Sequence, residues 1–156
     1  MTIQTTGSTH PVLSYTDGIA ARTTDIVLLI GRILIGWLFF KAGWDKLMNM
    51  PGFVSYLTNL KVPNPGFWSW PAVAAELLIG ATLILGIATR YAALAAFVYL
   101  IIATALAHRY WDYPAAQQSG QFAHFLKNLA IMGGSLIVFA AGGGRFSLDR
   151  WISTRV

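Results

Sequence analysis

The chain contains no cysteine. It can form no disulfide, hold no thiolate-ligated cluster, and run no thiol–disulfide exchange with its own side chains. Charge is almost as scarce. Asp, Glu, Lys and Arg make up 11% of the 156 residues, whereas a soluble domain carries about a quarter. Apolar residues make up 56%. That balance excludes an ordinary soluble enzyme and describes a chain whose solvent is lipid. At about 20 residues per crossing, the length allows roughly four spans with short connections, and no separate soluble catalytic domain. Phosphate-loop chemistry is also missing, because Gly142-Gly143-Gly144 is not followed by Lys-Ser or Lys-Thr. There is no flavin or nicotinamide fingerprint either, so electrons in any redox reaction must be carried by the substrate or a partner.

The formal charge of +5 would suggest nucleic acid in a soluble protein. Here the basic residues stand at span ends and in the tails, where headgroup-facing Lys and Arg belong, so the partner is the bilayer and not nucleic acid. The residues through Ala21 are polar and lack the basic region and short apolar core of a cleaved signal peptide. The first span is therefore expected to act as its own insertion signal.

Hydropathy predicts an all-α polytopic membrane protein: four transmembrane helices in an antiparallel bundle, with a short amphipathic segment between helices 1 and 2. Residues 1–22 read as a polar, mobile N-terminal tail, 23–141 as the membrane domain, and 142–156 as a basic C-terminal tail. The first span covers about Thr24 to Trp44. In the connection that follows, Phe53, Tyr56, Leu57 and Leu60 recur at helical spacing, and Pro63-Asn64-Pro65-Gly66 ends that segment. Phe67, Trp68 and Trp70 form an aromatic belt at the entry to the second span, about Trp70 to Ile87. The alanine-rich third span, about Tyr91 to His108, should pack closely inside the bundle. Pro114 to Gln121 reads as a polar loop, and the fourth span as about Phe122 to Ala141.

Four antiparallel spans decide which polar residues share an end. Lys41, Asp45 and Lys46 close the first helix, Glu76 lies near the start of the second, His108 ends the third, and His124, Lys127 and Asn128 open the fourth. Glu76 is about 9 Å inward from Trp70, and Lys127 about 7 Å inward from Phe122, deeper than a snorkelling rim residue needs to be. A carboxylate at that depth persists only with a partner or a role. Arg32 lies about 12 Å in from Thr24 on the opposite side. Two ion pairs, Arg32–Glu76 and Lys127–Glu76, therefore compete as expectations. Each residue also has a structural reading. Glu76 can be a counter-ion alone, Lys41 and Lys46 anchors, His108 and His124 interfacial residues, and Asn128 an interhelical hydrogen-bond donor. His108 and His124 have no clear third ligand, and Lys127 would repel a cation, so no metal site is expected.

Five blocks carry a family resemblance: Arg32-Ile-Leu-Ile-Gly36 through Phe40-Lys-Ala-Gly43-Trp-Asp-Lys46; Glu76-Leu-Leu-Ile-Gly80 with Leu85-Gly86-Ile-Ala-Thr-Arg90; Ala107-His108-Arg-Tyr-Trp111; Phe125-Leu-Lys127-Asn128 through Gly133-Gly134; and Gly142-Gly-Gly-Arg-Phe-Ser147-Leu-Asp149. Over roughly residues 30–150 the chain resembles the DoxX family. The resemblance implies a small four-span protein of the bacterial cytoplasmic membrane, related to a subunit linked to thiosulfate:quinone oxidoreductase. It implies a quinone-linked oxidoreductase or its membrane subunit, with no intrinsic cofactor, a quinone as co-substrate, and a partner redox subunit or a homo-oligomer. On that reading Glu76 and His108 handle protons. Lys46, Lys127, Asn128, Arg32 and His124 bind a quinone or a small anionic substrate. A non-catalytic scaffold or small-molecule transport component is the alternative. The arginine bias (Arg22, Arg90, Arg145, Arg150 and Arg155 on one side) places both termini in the cytoplasm.

Overall fold

The computed structural model describes residues 11–154; Arg155 and the first ten residues of the tail lie outside them. Its elements are α1 (Pro11–Met48), α2 (Met50–Asn59), α3 (Pro65–Leu85), α4 (Thr89–Ala107), a 3₁₀ turn (Tyr110–Asp112), α5 (Ala115–Ala141) and α6 (Leu148–Ser153). Helices α1, α3, α4 and α5 are each long and apolar enough to cross a membrane. The fold is an all-α bundle of four spans. Their outward faces carry Leu34, Leu78, Tyr91 and Ile137, all well exposed, which is the surface lipid covers.

Three boundaries differ from the hydropathy reading. Helix α1 begins at Pro11, inside the segment read as a mobile tail. A proline suits a first helical turn, and the hydroxyls of Thr23 and Thr24 fold back onto the Ile19 and Ala20 carbonyls at 2.9 and 2.6 Å, so polar residues stay within the helix. Thirty-eight residues extend about 57 Å, far beyond a hydrocarbon core of about 30 Å, so α1 projects past the lipid. The expected loop Pro114–Gln121 is mostly the start of α5: Pro114 occupies the cap position and the helix runs from Ala115. Likewise α3 starts at Pro65, so the aromatic belt residues Phe67, Trp68 and Trp70 stand on its first turns. The amphipathic segment is α2, capped by the Asn49 side chain, which accepts from the Gly52 N–H at 3.2 Å, with Phe53 and Leu57 turned inward.

Helix α1 packs chiefly on α3, and α4 on α5. The α1–α3 crossing is set by two glycines. A Cβ on Gly80 would lie 2.5 Å from the Phe40 nitrogen and 2.7 Å from the Gly36 carbonyl, and one on Gly36 would lie 2.8 Å from the Gly80 carbonyl. Backbone approach of this kind is how apolar spans gain packing energy in lipid. Alanines of α4 (Ala92, Ala93, Ala96) complete the core with Phe39, Leu83, Leu100 and Met132. A second cluster, Phe53, Leu57 and Val73, seats α2 against α3.

The end bearing the termini is closed by long-range caps. Arg32 is 1% exposed and donates to the last carbonyls of α3, Leu83 and Ile84, at 3.3 Å each, and to the Phe146 carbonyl. The Asp149 carboxylate accepts from the N–H groups of Ala88 and Thr89 at 2.6 and 2.8 Å and from the Thr89 hydroxyl at 2.7 Å. It thereby caps α4, whose own N-cap residue Ala88 has no side chain for the task. Arg90 donates to the Phe139 and Ala140 carbonyls at 2.6 and 2.7 Å, closing the C-terminus of α5. Thus the C-terminal segment, read as a plain tail, carries a short helix tied to the α3–α4 turn.

Candidate binding site opposite the termini

At the other end of the bundle the polar groups meet each other instead of the backbone. Glu76 is 5% exposed, on the inward face of α3. Its Oε1 pairs with the Lys46 ammonium from α1 and accepts from the Tyr99 hydroxyl of α4 at 2.8 Å. One carboxylate thus joins three helices. Its second oxygen, Oε2, is buried with no hydrogen-bond partner, an unusual state for a group whose desolvation carries so high a penalty. The Lys46 ammonium also sits 5.3 Å above the Phe53 ring of α2, a cation–π distance. Tyr99 is held in turn by an edge-on contact with Phe39.

Both expected partners of Glu76 are replaced. Arg32 stands at the opposite end, bound to carbonyls of α3, and Lys127 bonds to His124 Nδ1 at 3.3 Å. The rotation of each helix about its axis decides this. Lys46 lies on the face of α1 that packs against α3, and hydropathy alone does not define that face.

Above the carboxylate lies a cavity of about 400 Å³. Its polar wall is Lys46, Tyr56, Glu76, Tyr99, His108, Lys127 and Asn128; its apolar wall includes Leu38, Phe39, Ala42, Leu100 and Ala103, and α2 covers it with Phe53, Leu57 and Leu60. Of the residues named from sequence, Glu76, His108, Lys46, Lys127 and Asn128 therefore line one cavity. Arg32 does not. His124 is one layer out: its ring stacks on His108 with centroids 5.1 Å apart. His108 Nδ1 lies 2.8 Å from the Gln121 Oε1, which orients the ring. Asn128 is buried and donates to the Thr104 hydroxyl at 2.9 Å, an interhelical bond within the wall. Lys41 bonds Asp45 at 2.6 Å on the exposed side of α1, a pair of small energetic weight.

Tyr99, Tyr56 and Phe53 are the site residues that the sequence reading missed. Tyr99 had a usable signal: it stands ten residues into α4, about 15 Å from its start and too deep for an interfacial belt. Tyr56, on α2, lies outside the spans. Burial, and then its neighbour Tyr113, push its phenol above the ordinary value, so it remains a protonated donor at the cavity's roof.

This arrangement can hold a compact, partly polar molecule reached from the headgroup region. A cavity of 400 Å³ is within the range of small-ligand sites. It offers ammonium and phenol donors, one carboxylate, and a stacked histidine pair leading outward.

Comparison with known proteins agrees with the fold. The chain is 33% identical over 138 residues to inner membrane protein YphA of Escherichia coli (strain K12), covering 88% of this chain and 97% of that one. It is 30% identical over 134 residues to inner membrane protein YqjF of the same organism, covering 86% and 98%. No solved structure gives a significant match. The DoxX family model matches residues 27–109, which run from within α1 to the end of the third span and hold Lys46, Glu76, Tyr99 and His108. This integral membrane protein belongs to the DoxX family.

Proposed function

We propose that the chain is a quinone-linked oxidoreductase, or the membrane subunit of one, that binds the head group of a quinone in the cavity above Glu76. The observation that carries this reading is the buried carboxylate itself, shared by Lys46 and Tyr99 and opening on a cavity lined by further donors. A quinone dissolves in the bilayer, presents two carbonyl acceptors, and takes up two protons with two electrons. The Lys127 ammonium and the Tyr56 phenol supply donors for the carbonyls. Glu76 and His108 supply proton-carrying groups within the site, and the His108–His124 stack extends toward the surface. Electrons come from a partner subunit or a soluble donor, because the sequence carries no flavin or nicotinamide motif. The relatives' location and the arginine bias support placement in the bacterial cytoplasmic membrane with both termini in the cytoplasm.

One observation favours a second reading. Two lysines and a single carboxylate line the cavity, an excess of positive charge that suits a small anion in a non-catalytic binding or transport component. Titration of the purified protein with a quinol analogue, with and without Glu76→Gln, separates the two. The quinone reading expects saturable binding to the native protein and about tenfold or greater weakening in the variant, the loss of a hydrogen bond to a charged group. No binding to either form overturns it. Binding without quinone turnover across donors in reconstituted membranes selects the second reading.

A further inference from the structure

The end bearing the termini holds Arg32, Arg90, Arg145 and Arg150 against Asp25 and Asp149. Most of these groups are engaged internally. Arg32 and Arg90 donate to helix-terminal carbonyls. Asp149 binds the start of α4, and Asp25 accepts from the Arg145 backbone N–H at 2.8 Å. The Arg145 and Arg150 guanidinium groups differ: both residues are exposed, and neither belongs to any ion pair among the described residues. They face one open hollow together with Asp25 and Gly144. The Asp25 carboxylate offsets part of the charge there, and a net positive balance remains.

Next to these arginines in the chain, Phe146, Trp151 and Ile152 are each about half exposed, at 51, 52 and 51%. These side chains are fixed in depth. The Asp149 N–H donates to the Gly86 carbonyl at 2.9 Å while the Asp149 carboxylate holds Ala88 and Thr89. The Ser147 hydroxyl caps α6 through the Arg150 N–H at 3.3 Å. Helix α6 is thus pinned at the level of the α3–α4 turn, where the spans end and lipid head groups begin.

We propose that Arg145 and Arg150, with the apolar face of α6, form a docking site for an anionic phospholipid. The two guanidinium groups take the phosphodiester, for which their planar donor geometry is suited, and Phe146, Trp151 and Ile152 meet the glycerol and upper acyl chain. The occupant is a lipid and not a free phosphate ion, because Phe146 and Trp151 follow the two arginines directly in the chain and stay half exposed at the depth where lipid begins, and an ion would not use them. This site lies at the opposite end from the Glu76 cavity and does not depend on what that cavity binds.

The full-length protein is reconstituted in phosphatidylcholine vesicles containing a minor fraction of brominated phosphatidylglycerol. The Trp151 share of fluorescence quenching, taken as the difference from Trp151→Phe, then measures local enrichment of the anionic lipid. Enrichment over brominated phosphatidylcholine is expected for the native protein, weakened but still present in Arg145→Lys/Arg150→Lys, which keeps the charge and loses the fork, and reduced about thirtyfold in relative affinity by Arg145→Gln/Arg150→Gln. It should also weaken at high salt. Equal quenching by the two lipids in the native protein, or unchanged enrichment in the double glutamine variant, overturns the proposal. If inorganic phosphate displaces the anionic lipid at millimolar concentration, the site is an ion pocket and the lipid assignment falls. Both arginines are exposed, so the double variant folds; an unchanged thermal transition checks this.

Discussion

The two ends of the bundle use their charged residues in opposite ways. At the end bearing the termini, Arg32, Arg90 and Asp149 bind main-chain carbonyls and N–H groups. At the other end, Lys46, Glu76 and Tyr99 bind each other beside a cavity. Helix termini leave unpaired backbone groups that lipid cannot satisfy. A charge that caps them serves the fold and leaves no site behind. A carboxylate whose oxygen is shared by two side-chain donors, Lys46 and Tyr99, completes no helix end. The comparison gives a working rule for small membrane bundles: an intramembrane charge bound to backbone is structural, and one bound to other side chains around a cavity is the functional candidate.

Substitutions at each end sharpen that contrast. The largest expected effect is at Arg32. Arg32→Met strands the Leu83, Ile84 and Phe146 carbonyls in a dry interior, and should lower stability by about 3 kcal/mol or more, measured by unfolding in detergent. The folded fraction should bind a quinol analogue as the native protein does. Loss of binding with stability intact would place Arg32 in the site and break the rule. Next is the helix crossing. Gly80→Ala forces a methyl group against the Phe40 nitrogen and the Gly36 carbonyl and should destabilise by about 2 kcal/mol, while the same change at Gly133, where a Cβ meets nothing within 4 Å, should not.

The smallest effect is at Asp149. Burial pushes its carboxyl up, but hydrogen bonds from Thr89 and Ala88, with the Arg32 charge, outweigh this and hold it below its ordinary value of 3.8. A carboxyl lowered in the folded state gives stability that is complete above that value and is lost as pH falls through the lower folded one. Asp149→Ala should remove this acid-side dependence and about 1 kcal/mol of capping. An acid titration of the melting temperature, native against variant, reads both quantities. Superimposed curves would show that Asp149 does not cap α4.

Much of the fold was legible in the sequence because lipid imposes simple rules on it. Runs of apolar residues set the four spans, proline and glycine set the breaks, and the Phe53–Leu57 spacing announced α2. The same rules picked Glu76, whose cost in lipid demands an explanation. They failed where rotation about a helix axis or distant contact decides. Depth along the spans favours Lys127 over the rim residue Lys46 as the partner of Glu76, and only packing of α1 against α3 selects Lys46. Arg32 looked like a partner for Glu76 because its true acceptor, the Phe146 carbonyl, lies 114 residues away along the chain. Pro11 to Arg22 and Ala115 to Gln121 are polar helix, and polarity alone does not distinguish them from tail or loop. Helices that leave the hydrocarbon core have no reason to stay apolar.

The absence of native cysteine makes one measurement especially clean. Ala103 lines the cavity, whereas Ile137 faces outward and is well exposed. Single Ala103→Cys and Ile137→Cys proteins are labelled in membranes with a lipid-soluble maleimide, with and without a saturating quinol analogue. The analogue should slow labelling at position 103 at least several-fold and leave position 137 unchanged. Equal rates with and without the analogue at position 103, under conditions where the analogue binds, would show that the space above Glu76 is not where the ligand sits.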